Sequence, residues 1–230
     1  MIRTLTATAA LALITACGGS GGNEAGSDGA TGFITPGADV PETANRDEGG
    51  VPRDDYGRPY DYRYLGREIP AFDGTMAAGP LFSTQELDNQ WTIIDVWGIW
   101  CGDCMADAPY VAELWNEVKE MDDLAFLSIH TPPNARRVEE AYGSYGSVEA
   151  YFEEKGYTYP TLIDEDASIR ETLAIEWTPS YLLIAPDRTV QGFRSDLSAA
   201  NADDPVAAFL EDIMEVRASY DPDAERPVED

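Results

Sequence analysis

The strongest constraint on this chain is an apolar strand that leads, within a few residues, into a helix that begins with two cysteines. Residues 91–97 form an apolar run interrupted only by Thr92 and Asp95, which indicates a strand buried on both faces. Residues 100–104 read Trp-Cys-Gly-Asp-Cys. Apolar side chains then recur at the spacing of one helical face, namely at Val111, Leu114, Trp115 and Val118. The cysteines therefore lie where a buried strand ends and a helix starts.

The rest of the central pattern predicts an α/β fold. Residues 124–129 are a second buried strand, and residues 147–155 are a helix with Gly156 where its C-terminal cap belongs. A short helix is expected near residues 166–174, and residues 181–194 form a hairpin around a Pro-Asp-Arg turn. A closing helix has its apolar face at Val206, Phe209, Leu210 and Ile213. We expect a central mixed β-sheet flanked by helices on both faces.

The N-terminus has the features of a secretion signal. Arg3 precedes an apolar run over residues 5–14 that is too short to span a bilayer. Residues 14–17, Ile-Thr-Ala-Cys, resemble the lipobox of bacterial lipoproteins. This resemblance implies removal of residues 1–16 and lipidation of Cys17, while an ordinary signal with a chance cysteine is the alternative.

The segments next to the two ends lack the side chains of a core. Residues 17–50 are rich in Gly, Ser, Thr and acidic residues, so we expect a flexible tether. Acidic residues and proline dominate residues 219–230, which predicts a disordered tail. This division leaves residues 51–218 as one folded domain.

The acidic balance of the chain limits its partners. Asp and Glu number 43 against 15 Lys and Arg, for a formal net charge of −28. Such a surface repels phosphate backbones at moderate salt. We therefore expect no nucleic-acid partner.

The position of the cysteines points to thiol chemistry. Free N–H groups and the positive dipole end at a helix N-terminus stabilise a thiolate, so Cys101 is the predicted nucleophile. Cys104 lies one turn along the helix, where it can bond to Cys101 or attack a mixed disulfide formed there. A static disulfide and half of a structural zinc site are the alternatives. Zinc needs about four ligands, whereas the chain has one histidine and its third cysteine belongs to the lipobox. We expect neither a metal nor a cofactor.

The residues around this motif resemble the thioredoxin family, in particular the membrane-anchored TlpA-like and ResA-like thiol-disulfide oxidoreductases. The resemblance covers about residues 69–214 and is carried by residues 93–104, Ile-Ile-Asp-Val-Trp-Gly-Ile-Trp-Cys-Gly-Asp-Cys, with Pro109 matching a proline of the family's helix. Residues 159–164, Tyr-Pro-Thr-Leu-Ile-Asp, and 177–180, Trp-Thr-Pro-Ser, are similar to later landmarks of the family. The resemblance implies a thioredoxin fold with a helical insert and a redox-active dithiol.

The resemblance also implies roles for single residues. It implies a cis peptide bond before Pro179, set against the cysteines, and a Thr178 backbone that hydrogen-bonds an extended substrate. It implies that Asp95, buried within the strand, is the base that activates Cys104. The alternative for Asp95 is a structural pairing to a lysine or to backbone. We expect Trp100 to pack under the active-site loop and to line the substrate groove.

Three residues close to the cysteines are predicted to tune the redox potential, namely Gly102, Asp103 and Asp107. Asp103 replaces the proline common between such cysteines, and its charge should oppose thiolate formation at Cys101. A higher thiol pKa destabilises the reduced form, so we expect a reducing pair. A solvated Asp103 without effect is the alternative. Asp107 stands where TlpA-like proteins usually carry glutamate.

The resemblance implies disulfide exchange with envelope proteins, preferably as a reductase that an integral-membrane thiol donor recharges. Attachment to a lipid bilayer through Cys17 would hold the chain on the periplasmic side, with the outer membrane preferred because Gly18 follows Cys17. Two alternatives are a redox-silent module that binds an extended peptide near Pro179, and a copper-delivery protein that uses His130. We expect His130 to be a partly exposed loop residue.

Overall fold

A seven-stranded mixed sheet organises the computed structural model, which describes residues 32–198 and 203–223. The strands are β1 (Asn45–Arg46), β2 (Pro52–Arg53), β3 (Asp73–Met76), β4 (Leu81–Ser83), β5 (Trp91–Trp97), β6 (Leu124–His130), β7 (Thr161–Ile163), β8 (Ser180–Ile184) and β9 (Val190–Arg194). The α-helices are α1 (Gly102–Val118), α2 (Val148–Lys155), α3 (Ser168–Thr172) and α4 (Pro205–Ser219), and two 3-10 helices span Thr84–Leu87 and Val138–Glu140. Among the described residues, no helix combines the length and the apolar character needed to cross a bilayer.

The order of the strands places β5 inside the sheet. That order is β4-β3-β7-β6-β5-β8-β9. β5 runs parallel to β6 and antiparallel to β8, and β7 is parallel to β6. Every residue of β5 is buried, as predicted for a strand covered on both faces. The C-terminal ends of the three parallel strands meet at one edge, and the cysteines follow directly from it.

Two apolar cores cover the two faces of the sheet. On one face, Leu114 of α1 and Phe209 of α4 pack in a cluster that includes Ile93 of β5. On the other face, Ile169 of α3 belongs to a cluster that includes Ile94 of β5. Neighbouring residues of a strand point to opposite faces, so β5 contributes to both cores. The predicted α/β fold with helices on both faces of a mixed sheet is confirmed.

Helix boundaries follow from side-chain caps. The Ser147 side chain accepts a hydrogen bond from the Ala150 N–H at 3.2 Å, and α2 begins after it. Gly156 ends α2 with a φ of 74°, a left-handed conformation that favours glycine. The helix predicted over residues 147–155 and its cap are confirmed.

The N-terminal segment packs on the sheet farther upstream than expected. The backbones of Ile34 and Phe193 in β9 exchange two hydrogen bonds of 2.8 and 2.9 Å. The ring centroids of Phe33 and Phe209 are 5.1 Å apart. Phe33 and Ile34, in the middle of the expected tether over residues 17–50, thus add to the core and to the open edge of β9.

The remaining predictions for the ends of the chain fall largely outside the described residues. The signal segment over residues 1–16 and the lipidated Cys17 lie there, as does the tail from residue 224 onward. At the start of that tail, Tyr220 packs edge-on against Trp91 with ring centroids 5.2 Å apart. The packed part of the chain thus extends beyond the expected limit at residue 218.

Candidate active site

The loop from Gly98 to Cys101 connects β5 to α1 and brings both cysteines to the edge of the sheet. Cys101 is the N-cap of α1, and its Sγ accepts a hydrogen bond from the Cys104 N–H at 3.3 Å. A sulfur here satisfies one of the free N–H groups of the first helical turn, a task that serine or aspartate usually performs. The Cys101 thiol also donates to the carbonyl oxygen of Thr178 at 3.3 Å. Both cysteines are free thiols.

The two thiols have opposite acidities. Hydrogen bonding with Cys104 is the largest influence on Cys101 and lowers its pKa to about 7, with help from Thr178, whereas burial and the charge of Asp103 act to raise it. Burial, followed by the hydrogen bond to Cys101, raises the pKa of Cys104 above its ordinary value. Cys101 is 8 % exposed and Cys104 is 2 % exposed. The geometry thus favours Cys101 as the thiol that ionises near neutral pH and meets a partner first.

The segment before β8 faces the cysteines through a cis peptide bond. The Thr178–Pro179 bond is cis, as the family resemblance implies, and both residues are buried. The Thr178 carbonyl reaches the Cys101 thiol, and the Ser180 hydroxyl donates to the Trp177 carbonyl oxygen at 2.8 Å. The part of Thr178 and Pro179 in substrate binding stays a prediction.

Asp95 lies in the middle of β5, paired with Ser128 of β6 and Tyr181 of β8 in the sheet register. It is 2 % exposed, and its Oδ1 has no hydrogen-bond partner among the described residues. Burial, followed by the negative charges of Asp107 and Cys101, raises the pKa of Asp95 well above its ordinary value. A buried carboxyl in such surroundings favours its protonated form, which suits a group that exchanges a proton with a thiol.

Asp107 is equally buried, but its carboxylate is well supplied with hydrogen bonds. It accepts from the Tyr181 hydroxyl at 2.9 Å and from the backbone N–H groups of Leu197 at 2.8 Å and Ser198 at 3.0 Å. These bonds tie α1 to β8 and to the turn that follows β9. Its charge also contributes to the raised pKa of Asp95. Asp107 thus has a structural task, and its effect on the redox potential stays a prediction.

The two residues between the cysteines are exposed. The charge of Asp103 raises the pKa of Cys101, which is the direction expected for it, but hydrogen bonding and burial act on that thiol more strongly. No neighbouring atom lies within 4 Å of the place where a Cβ would stand on Gly102. Space therefore does not require glycine at that position, and nothing in the structure explains a tuning role for it.

Trp100 attaches the active-site loop to the neighbouring strand. Its Nε1 donates to the carbonyl oxygen of Thr131, directly after β6, at 2.7 Å. The indole lies so close to Gly98 that a Cβ there would overlap with the ring. Glycine is required at this position for a close approach of side chain to backbone. Trp100 packs against the loop as expected, and its contact with substrate stays a prediction.

The expectation that His130 is a partly exposed loop residue is wrong. His130 is the last residue of β6 and is fully buried. Its Nε2 accepts a hydrogen bond from the Ile99 N–H at 3.3 Å, its ring stacks on Tyr142, and Trp97 packs edge-on against it. Burial lowers the pKa of His130 to about 4, so the ring is neutral at physiological pH. β6 continues past its apolar run because His130 pairs with Trp97 and Tyr142 covers the ring.

Arg170 is a residue of the site that sequence reasoning missed. Its guanidinium carbon lies 5.7 Å from the ring centroid of Trp100, and its Nη1 is buried without a hydrogen-bond partner among the described residues. The carboxylate of Asp164 accepts from the Arg170 N–H and from the Thr131 hydroxyl, both at 2.9 Å. A lone arginine in a short helix is usually part of a solvated face, so its local pattern contained no signal.

A mixed sheet with a dithiol at the N-terminus of the helix after an inner strand, facing a cis-proline segment, defines the class of thioredoxin-fold dithiol proteins. The family model for Redoxin matches residues 65–195, and the chain belongs to the Redoxin family. The resemblance drawn from residues 93–104 and from the later landmarks is thereby confirmed.

Individual relatives agree with this assignment. The chain is 25 % identical over 126 residues to the thiol-disulfide oxidoreductase ResA of Bacillus thuringiensis (strain Al Hakam), a match that covers 55 % of this chain and 66 % of the relative, just under two thirds of its length. A candidate protein disulfide isomerase from Bacteroides thetaiotaomicron has a similar structure, with a TM-score of 0.52, 20 % identity and coverage of 67 % of this chain and 91 % of that one. A candidate thioredoxin from Neisseria meningitidis gives a TM-score of 0.50 at 18 % identity, covering 68 % of this chain and 93 % of that one. The two structural likenesses show the fold.

Proposed function

We propose that this chain is a thiol-disulfide oxidoreductase that exchanges disulfides with proteins through Cys101 and Cys104. The observation that carries the proposal is the environment of Cys101. This thiol caps α1, has a pKa lowered to about 7, and lies beside a second, buried thiol and 3.3 Å from the carbonyl oxygen of Thr178. The Redoxin family and the name of the Bacillus relative support the same chemistry.

In the reductive direction, the Cys101 thiolate attacks one sulfur of a substrate disulfide. A bond forms between Cys101 and that sulfur, the substrate S–S bond breaks, and the other substrate sulfur leaves as a thiolate that takes up a proton. Cys104 then loses its proton and attacks the Sγ of Cys101, which releases the second substrate thiolate. The substrate has gained two electrons, and the chain holds a Cys101–Cys104 disulfide that a donor dithiol must reduce again.

Asp95 is the proposed acceptor of the Cys104 proton. Burial raises the pKa of both groups. Because the pKa of Asp95 is raised, it lies closer to that of Cys104 than the pKa of an ordinary carboxylate does, and transfer of the proton costs less free energy. The charge of Cys101 is one of the causes of the raised pKa of Asp95. That charge is absent once Cys101 is bonded to substrate. The pKa of Asp95 therefore falls at that step, and more of it is in the carboxylate form that can accept the Cys104 proton.

Trp100, Thr178 and Pro179 form the proposed contact strip for an extended substrate segment. In the dithiol form, the Thr178 carbonyl accepts the hydrogen bond of the Cys101 thiol. Ionisation of Cys101 removes that donor and leaves the carbonyl free to accept an N–H group from the substrate backbone. A hydrogen bond to the substrate backbone does not depend on the substrate side chains, so substrates with many different sequences can bind in this way.

We place this activity outside the cytoplasm, on the periplasmic side of a membrane, with Cys17 as a lipid anchor and the outer membrane as the preferred site. The apolar run over residues 5–14 and the lipobox resemblance support the anchor. We further propose that the domain works as a reductase of envelope proteins, recharged by an integral-membrane thiol donor. The charge of Asp103, which acts against the Cys101 thiolate, supports the reductive direction.

A trapping experiment tests the exchange chemistry with insulin as a disulfide substrate. The Cys104→Ala variant should form a covalent adduct with insulin through Cys101 that dithiothreitol releases, because the resolving thiol is absent. The Cys101→Ala variant should form no adduct, and only the wild type should reduce insulin catalytically. Mass spectrometry after acid quenching detects the adduct.

The other functions predict different results. Insulin binding by the wild type without any adduct in the Cys104→Ala variant would replace exchange with a redox-silent peptide-binding function. Tight Cu(I) binding that depends on both cysteines and on His130 would favour copper delivery. Substitution of His130 by Asn should leave Cu(I) binding unchanged, since its Nε2 is engaged by the Ile99 N–H.

A further inference from the structure

Among the described residues, Arg170 is a positively charged neighbour of the dithiol in surroundings that are otherwise acidic or phenolic. The described titratable side chains that interact with the two thiols include Asp95 of β5, Asp103 of α1, Tyr151 of α2, Tyr159 before β7, Tyr181 of β8 and Arg170 of α3. Arg170 is the cation in this group. An anion forming on sulfur here meets repulsion from the carboxylates and attraction from Arg170.

A closed set of contacts fixes the position of Arg170. The Trp100 indole donates to the Thr131 carbonyl oxygen, the Thr131 hydroxyl donates to Asp164, and Asp164 accepts the Arg170 N–H. The guanidinium then returns to Trp100, with its carbon 5.7 Å from the ring centroid. Since Trp100 directly precedes Cys101, this ring of contacts sets the guanidinium in a fixed relation to the active-site loop.

We propose that Arg170 is the counter-cation of the dithiol: held over Trp100, its guanidinium offsets the negative charge on Cys101 when the thiol ionises and when the thiolate attacks or leaves a disulfide. The inference rests on the proposed exchange function for its meaning in turnover. Its effect on the ionisation of Cys101 does not depend on turnover.

The state of Arg170 in the dithiol form supports this role. Its buried Nη1 has no acceptor among the described residues, which is costly for a charged group. Burial lowers the pKa of Arg170, while the charges of Cys104, Cys101 and Asp164 act to raise it. The stabilisation is mutual, because a thiolate that stabilises the guanidinium is stabilised by it to the same extent. Arginine remains charged throughout the relevant pH range, so Arg170 presents a constant positive charge to the two thiols.

Two substitutions and one control test the proposal in the reduced full-length protein. Arg170→Gln removes the charge, Arg170→Lys keeps it, and Arg136→Gln removes a charge from an exposed arginine elsewhere. The ultraviolet absorbance of the thiolate, followed against pH, reports the ionisation of Cys101. Equilibration with glutathione reports the midpoint potential, and insulin reduction reports turnover.

Arg170→Gln should raise the pH of half-ionisation of Cys101 by about 0.5 to 1. It should also slow alkylation of Cys101 at neutral pH by roughly three- to tenfold. The midpoint potential should become more negative, by about 30 mV for a tenfold change in the equilibrium constant. Arg170→Lys should recover most of each change, and Arg136→Gln should match the wild type.

Unchanged ionisation and potential in Arg170→Gln would overturn the proposal. Equal changes in Arg170→Gln and Arg170→Lys would overturn it too, because Arg170 would then act by supporting Trp100 rather than by charge. Failure of the wild type to exchange disulfides with insulin would contradict the proposed function. The thiolate titration would still decide whether Arg170 is the counter-cation.

Discussion

Buried charges are arranged differently at the flank formed by β9 and α4 and at the dithiol. At the flank, Arg194 is 2 % exposed and donates to Asp212 at 2.8 Å and to the Asp196 carbonyl oxygen at 2.6 Å, while Arg58 pairs with the Asp196 carboxylate. At the dithiol, Asp95 is buried with an unpartnered Oδ1, and the charges that act on it are negative. Removal of one partner from a buried ion pair leaves a buried charge uncompensated, whereas a carboxyl buried beside like charges has a raised pKa and favours its protonated form.

The largest effect that separates the two regions is expected at the flank. Arg194→Met removes the cation and leaves the Asp212 carboxylate beside an apolar side chain, so the free energy of unfolding should fall by about 2 kcal/mol. Urea unfolding measures this loss. The pH of half-ionisation of Cys101 should not change, because Arg194 belongs to the other region.

A matched control comes from an exposed ion pair. Arg137 pairs with Glu140, and both side chains are about half exposed. Arg137→Met should change the free energy of unfolding far less than Arg194→Met does, because solvent screens an exposed ion pair. If Arg194→Met cost as little as Arg137→Met, the flank would not depend on its buried pairing and the contrast between the regions would disappear.

A smaller effect of opposite sign is expected at Asp95. Its pKa is raised above 3.8 in the folded protein, so the unfolded chain releases this proton at lower pH than the native one. The free energy of unfolding of the wild type therefore falls as pH rises from that value toward the folded pKa, and Asp95→Asn lacks this fall. At about pH 8 the variant should be more stable than the wild type by about 1 kcal/mol, with no such gain at about pH 4.

The same variant should resolve mixed disulfides more slowly, since Cys104 loses its proposed base. Urea unfolding at the two pH values and the lifetime of the insulin adduct are the measurements. Lower stability of Asp95→Asn at the higher pH would show that Asp95 holds the fold together, as the charges of the flank do.

The smallest effect concerns Asp103. Asp103→Asn should lower the pKa of Cys101 slightly, because a negative charge that opposes thiolate formation is removed. It should also cost about 0.5 kcal/mol of stability, since an acidic residue in the first turn stabilises the N-terminus of α1. Thiolate absorbance and urea unfolding measure the two changes. Glu117→Gln, near the other end of α1, should leave Cys101 unaffected, and an equal change there would assign the effect to net charge alone.

Patterns contained within one segment predicted much of the fold. The apolar run of β5, the helical spacing of α1 and the hairpin of β8 and β9 are local properties, and the structure has all three elements. β3 and β4 are short and only partly buried, so no apolar run marked them, and they exist as strands because β3 pairs with β7. The addition of Ile34 to β9 likewise depends on an edge formed much later in the chain.

The same distinction applies to the site. The order of Cys101 and Cys104 along one helix is local, and the motif placed both correctly at the start of α1. The burial of His130 depends on Tyr142, and the position of Arg170 depends on Asp164 and Thr131. Contacts between distant segments decide which side chains surround the sulfurs, and composition and spacing do not specify them.

The absence of a side chain at Gly98 has a consequence for how variation in this loop is tolerated. The indole of Trp100 fills the volume that a methyl group at Gly98 would need. Gly98→Ala would displace the ring, free the Thr131 carbonyl and take away the surface on which Arg170 rests. If Arg170 acts on Cys101 as proposed, a residue with no functional group would thus influence the acidity of that thiol through Trp100.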